Sequence, residues 1–214
     1  LVSQAMKNGY NQYAPMKGII ELREAIARKF KNIYQSSYHP EKEIVVTAGA
    51  TQAIFTIISA FITKKDEVII FTPAYDCYQP SVELQGGKVI PIQLQYMNNS
   101  IDWNLVESSI TSKTKMIIIN SPQNPSGTIF SSLDMERLEM ITDNTDIIIL
   151  SDEVYEHMIF DGQKHQSACL FPALKKRSFI TASFGKTFHN TGWKVGYCCG
   201  PENLMREFIK VHQF

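Results

Sequence analysis

The 214-residue chain has no excess of either charge, with 21 Lys+Arg against 21 Asp+Glu. That balance gives no pull toward nucleic acid or an anionic membrane surface, so neither is expected as a partner. It has no apolar run approaching the ~20 residues of a spanning helix, so neither a membrane segment nor a secretory leader is expected. Cysteine is scarce: Cys77, Cys169, Cys198 and Cys199 show neither CxxC nor zinc-ligand spacing. With five histidines that form no HExxH, no metal site is expected. The thiols read as reduced, in a cytoplasmic protein. Vicinal Cys198 and Cys199 would face opposite sides of a strand. Glycine is absent where a nucleotide-binding P-loop needs it. Gly185-Lys186-Thr187 spells the end of that motif, but Ile stands at position 180.

No Gly/Ser linker, internal repeat or low-complexity tract divides the chain. Leu1 in place of Met, and a helical stretch over 202–214 without a Gly or Asn cap, suggest a piece of a longer chain. What is present is alternation. A β-branched run at 44–47 precedes a helical stripe of Ala53, Ile54, Ile57, Ile58 and Phe61. Strands are predicted at 67–71, 88–94, 115–120, 146–150 and 178–182. Helices are predicted from about Ile19, over 76–84, and over 133–141 with Leu133, Leu138 and Ile141 on one side. The fully apolar segment before Ser151 argues for a strand buried on both faces, hence a mostly parallel sheet. The expected fold class is α/β, a three-layer α/β/α domain. A chain of this size buries about 70% of its unfolded surface, enough for a sizeable core.

In open α/β sheets, ligands bind beyond the carboxyl ends of the strands. The polar motifs fall there. Gly49-Ala50-Thr51 opens a helix whose N-terminus and small residues suit an anion, although a Thr-bearing structural turn looks the same. Asn120-Ser121-Pro122-Gln123-Asn124-Pro125 presents Asn124 on a rigid turn, or is only a turn. Asp152, at the end of an apolar strand, needs a cation or donors. It could instead cap a helix, with Tyr155 packed nearby. Tyr75 could stack on a flat ligand or simply pack, and Trp193 reads as core. Lys186, in Ser183-Phe184-Gly185-Lys186-Thr187-Phe188, suits an amine that must reach a carbonyl. Such an amine acts deprotonated, so partial desolvation or a nearby cation such as Lys194 is expected. Together the motifs supply a phosphate cradle, a stacking ring, an amide, an anion for a ring nitrogen and a Schiff-base lysine. Pyridoxal phosphate requires that set.

Gln12 to Gly18 with Leu22-Arg23, Thr47 to Thr51, Asn120 to Gly127, Ser151 to Tyr155 and Ser183 to Gly196 resemble the sequence blocks of the fold-type I, class I/II aminotransferases. Asn11 to Met16, Phe184 to His189 and Lys210 to Gln213 are most similar to the methionine and kynurenine aminotransferase branch. The resemblance implies that residues 1–214 are a pyridoxal-phosphate-binding large domain, without the N-terminal segment and C-terminal small domain of the family. By that likeness Lys186 holds the cofactor as a Schiff base and shuttles the proton. Asp152 pairs with the ring nitrogen, Asn124 and Tyr155 bind the phenolic oxygen, and Tyr75 stacks. Ala50, Thr51, Ser183 and Lys194 bind the phosphate, and Tyr13 serves the phosphate of a partner subunit, which implies a homodimer. Lys194 stands where many members carry Arg; it keeps the charge but loses the bidentate fork. The implied reaction is transamination between an amino acid, methionine or another bulky apolar or aromatic one, and a 2-oxo acid. The alternatives are a carbon–sulfur β-lyase on the same scaffold and an inactive cofactor-binding fragment.

Overall fold

The computed structural model describes residues 1–97 and 99–214. Nine helices and seven strands are found among them. In chain order these are α1 (Val2–Lys7), α2 (Ile20–Tyr34), β1 (Ile44–Thr47), α3 (Ala50–Phe61), β2 (Glu67–Thr72), α4 (Tyr78–Leu84), β3 (Lys88–Gln93) and α5 (Trp103–Ser109). They continue with β4 (Thr114–Asn120), α6 (Ser132–Thr142), β5 (Ile148–Asp152), α7 (Pro172–Lys175), β6 (Ser178–Ser183), α8 (Phe184–Thr187), β7 (Gly196–Cys199) and α9 (Glu202–His212).

The strands form one sheet in the order β1-β7-β6-β5-β4-β2-β3. Only β7 runs against its neighbours; the other pairs are parallel. Central strands alternate their side chains between two apolar layers, as a period of two requires. Val68, Ile70, Met116, Ile118, Leu150 and Phe179 pack with α3 and with Met205 and Phe208 of α9. Ile69, Phe71, Ile117, Ile119, Ile149 and Ile180 pack on the other side with Ile26 and Phe30 of α2 and Met135 and Leu138 of α6. The three-layer α/β/α expectation holds. Cys198 lies in the first layer and Cys199 in the second, opposite sides of β7 as expected.

Three local expectations are corrected. Strand β5 ends at Asp152, two residues beyond the apolar run, because Ser151 and Asp152 are themselves buried between β4 and β6. In α6 the inward residues are Met135, Leu138 and Thr142; Leu133 is 72% exposed. Ser131 and Asp134 form a capping box that starts the helix at Ser132 and rotates Leu133 outward. Trp193 is not core but 65% exposed, since it closes a short 3-10 turn (Thr191–Trp193) outside the sheet.

Candidate active site

Five connections, those that follow β1, β2, β4, β5 and β6, wall a cavity of about 160 Å³ on one side of the sheet. Ala50, Thr51, Tyr75, Asn124, Asp152, Tyr155, Ser183, Lys186 and Lys194 all line it. Tyr13 does not; it lies fully exposed in the segment between α1 and α2.

One end of the cavity is built on the β1–α3 turn. Gly49 sits at φ +82, a conformation that glycine adopts freely and other residues rarely do. A Cβ there would lie 3.7 Å from Lys194 Nζ, which places that ammonium over the N-terminus of α3. Gly196 is fixed by contact: a Cβ would meet Ala182 O at 2.7 Å and Ala50 N at 2.8 Å. The start of β7 therefore presses against the first turn of α3. The cavity end thus combines the unpaired N–H groups of a twelve-residue helix, a cation and the hydroxyls of Thr51 and Ser183.

The opposite end is a buried carboxylate. Asp152 is 2% exposed. Its Oδ2 accepts from the Tyr78 hydroxyl at 2.6 Å and its Oδ1 from the Val154 N–H at 3.3 Å. No cation pairs with it among the described residues. Burial pushes its pKa from 3.8 up to about 6, and the donors Tyr78, Val154 and Thr181 only partly oppose that. Tyr78 escaped the sequence reading. It is the first residue of α4, three residues after Tyr75, and nothing local marks its distant partner.

Asn124 is aimed by Asn120, whose Oδ1 accepts from the Asn124 N–H at 2.7 Å while its Nδ2 donates to Asp152 O at 2.9 Å. Buried Gln123 ties the same turn to Pro73 O, in the loop that carries Tyr75. The Tyr75 hydroxyl stands 3.4 Å from Thr51 Oγ1. Lys186 Nζ lies 5.5 Å from the centroid of the Tyr155 ring. Lys186 is exposed and makes no hydrogen bond or ion pair among the described residues. Of the two expectations for this amine, burial is not met, while Lys194, the expected cation, lines the same cavity.

Behind the site, the segment after β5 is anchored on the opposite side of the sheet. Glu153 accepts from Ser151 Oγ at 2.8 Å and Ala168 N–H at 3.0 Å, and lies 2.9 Å from His165 Nε2. Burial alone would raise its pKa, but the His165 charge and these donors outweigh it and hold it low. Glu156 accepts from Lys29 Nζ and from the Tyr34 hydroxyl, each at 2.5 Å. The same ammonium donates to Tyr197 OH at 2.9 Å. Tyr155 thus lies between Glu153, held by His165 and Ala168, and Glu156, held by α2.

Comparison with known proteins places this arrangement. The sequence profile described as aminotransferase class I and II matches residues 2–214. The chain is 43% identical over 206 residues to methionine aminotransferase of Escherichia coli K12, covering 96% of this chain and 53% of that protein. It is 35% identical over 214 residues to human kynurenine–oxoglutarate transaminase 1, covering 95% of this chain and 51% of that protein. An Escherichia coli crystal structure reported with a methionine aminotransferase function superposes with a TM-score of 0.97 at 42% identity. That match covers 99% of this chain and 56% of the solved one. The chain thus spans about half the length of the curated relatives it matches. Among the described residues no helix is long and apolar enough to cross a membrane. With the fold and nearly the whole of its length matched, the chain belongs to the class I and II aminotransferase family.

Proposed function

We propose that residues 1–214 form the cofactor-binding large domain of an aminotransferase that exchanges the amino group of methionine, or of another bulky apolar or aromatic amino acid, with a 2-oxo acid. The observation that carries this is the buried, cation-less carboxylate of Asp152 in one cavity with the Lys186 amine. Aminotransferases of class I and II are pyridoxal-phosphate enzymes. The residues fit that group. A protonated ring nitrogen is the cation that Asp152 lacks, and Lys194 with the bare N-terminus of α3 suits a phosphate.

When bound, the cofactor supplies the carbonyl that takes the amino group and a ring that accepts electron density as the substrate Cα–H bond breaks. Lys186 Nζ attaches the cofactor and moves the proton at the substrate Cα. Asp152 keeps the proton on the ring nitrogen. The Tyr155 hydroxyl and the Asn124 amide orient the phenolic oxygen, and the Tyr75 ring covers one face. Ala50 N–H, Thr51, Ser183 and Lys194 bind the phosphate. Tyr13, exposed and unemployed in its own protomer, serves the phosphate of a second copy in a homodimer. We place the protein in the cytoplasm with its four thiols reduced, in keeping with the burial of Cys169, Cys198 and Cys199.

The test is an absorbance spectrum of the protein with pyridoxal phosphate, before and after methionine. A new visible band that shifts on methionine, and back on a 2-oxo acid, is expected. Absence of the band rejects cofactor binding. Release of pyruvate and ammonia from a cysteine conjugate, without any oxo-acid acceptor, would establish a β-lyase instead.

A further inference from the structure

We propose that Tyr78 is a positioning residue of this site: its hydroxyl, donated to Asp152 Oδ2, holds that carboxylate ionised and aimed at the cavity. The proposal rests on the functional reading above, in which Asp152 meets a cationic ring nitrogen. Tyr78 does not line the cavity; it is 3% exposed and acts from behind the carboxylate. Its 2.6 Å contact lies in the short range of hydrogen bonds between a hydroxyl and an anionic oxygen.

The direction of that bond is fixed. Burial, and then the charge of Asp152 itself, push the Tyr78 pKa well above its ordinary value, so the phenol keeps its proton and can only donate. Oδ2 is thereby engaged. Oδ1 accepts the 3.3 Å contact from Val154 N–H and retains acceptor capacity for a ligand; the buried Thr181 hydroxyl, paired across β5 and β6 and without a hydrogen-bond partner of its own, is the one other donor beside the carboxylate. The other groups around Asp152 do not replace Tyr78. Glu153, the next residue, is turned to the far side and engaged with His165. The Cys77 thiol is pushed up to about 12 by burial and by Asp152, and is neutral. Tyr75 and Tyr155 line the cavity without a hydrogen bond to the carboxylate, and exposed Lys186 and Lys194 form no ion pair with it.

The Tyr75 and Tyr78 rings meet edge-on, with centroids 5.7 Å apart and planes at 76°. One short segment thus sets both the ring bed and the state of the carboxylate. Without the Tyr78 donor the carboxylate becomes more basic, and a proton shared with a ring nitrogen moves toward Asp152.

The experiment is a carbon-13 NMR titration of the Asp152 carboxyl in cofactor-free protein expressed from its complete gene, assigned with Asp152→Asn. Tyr78→Phe keeps the ring and removes the donor. Its Asp152 midpoint should rise by about one to two pH units, the shift that one hydrogen bond to a charged group is worth. Ser81→Ala cuts the 2.6 Å bond from Ser81 Oγ to Cys77 O on the same helix and should leave the midpoint in place. A 3,5-difluorotyrosine at position 78, a stronger donor, should lower it, and this arm keeps the test decisive if Tyr78→Phe does not fold. In protein loaded with nitrogen-15 pyridoxal phosphate, the ring-nitrogen shift of Tyr78→Phe should move toward the unprotonated position. An unmoved Asp152 midpoint in Tyr78→Phe, or an equal movement in Ser81→Ala, overturns the proposal. Failure of the wild-type protein to take up pyridoxal phosphate would instead reject the functional reading, while the cofactor-free titration still decides what Tyr78 does.

Discussion

Replacing Asp152 by asparagine removes a charge that the fold holds at a cost. The side chain is 2% exposed, and its pKa is raised from 3.8 to about 6. A shift of that size corresponds to about 3 kcal/mol. Because the folded pKa lies above the unfolded one, the unfolded chain releases this proton first as pH rises. Stability contributed by the protonated carboxyl is therefore present below about pH 4 and is lost between about pH 4 and pH 6. Asparagine has no proton to release, so its curve lacks this loss. Urea unfolding of cofactor-free protein should show Asp152→Asn gaining on wild type across that window, by up to about 3 kcal/mol at pH 7. Added pyridoxal phosphate should reverse part of the difference, because ligand that binds only the folded state stabilises it, and wild type binds more tightly. A wild-type-minus-variant difference that stays flat with pH would refute the claim that Asp152 is a costly, unpaired anion.

Further outcomes follow from contacts elsewhere. Gly196→Ala forces a Cβ to within 2.7 Å of Ala182 O and 2.8 Å of Ala50 N. It should lower stability by about 1–3 kcal/mol in thermal unfolding and weaken cofactor binding at the α3 end. Lys29→Met leaves the buried Glu156 carboxylate without its ammonium, keeping only the neutral Tyr34 hydroxyl and, at 3.8 Å, His157 Nε2, and should cost about 3–5 kcal/mol in urea denaturation. Tyr13→Phe should raise the dissociation constant for pyridoxal phosphate about ten- to a hundredfold, the value of one hydrogen bond to a charged group. Mixing it with Lys186→Ala subunits should restore part of that affinity. No recovery, with subunit exchange confirmed, would remove the inter-subunit role of Tyr13.

The sheet was legible because β4 and β5 carry the runs Ile117-Ile118-Ile119 and Ile148-Ile149-Leu150, which burial on both faces explains. The cavity lining was legible because Gly49, Asn124, Asp152 and Ser183 lie at or just beyond the carboxyl ends of β1, β4, β5 and β6, where parallel strands open toward a ligand. What could not be read depended on orientation. Leu133 and Trp193 carry apolar side chains, but a capping box and a 3-10 turn point them outward. Lys186 was expected to be partly desolvated or near a cation; it is exposed, and Lys194 lines the same cavity. Tyr78 was missed because its partner lies 74 residues away, and no local pattern distinguishes a packed tyrosine from one that donates to a carboxylate.

The attachment of the cofactor to Lys186 is the central claim, and borohydride reduction tests it most directly. Protein incubated with pyridoxal phosphate, reduced, digested and mapped by mass spectrometry should carry one phosphopyridoxyl group, on Lys186. The label should disappear in Lys186→Ala while the fold, judged by circular dichroism, persists. A label on Lys194 or any other lysine, or none at all after loading, would contradict the assignment.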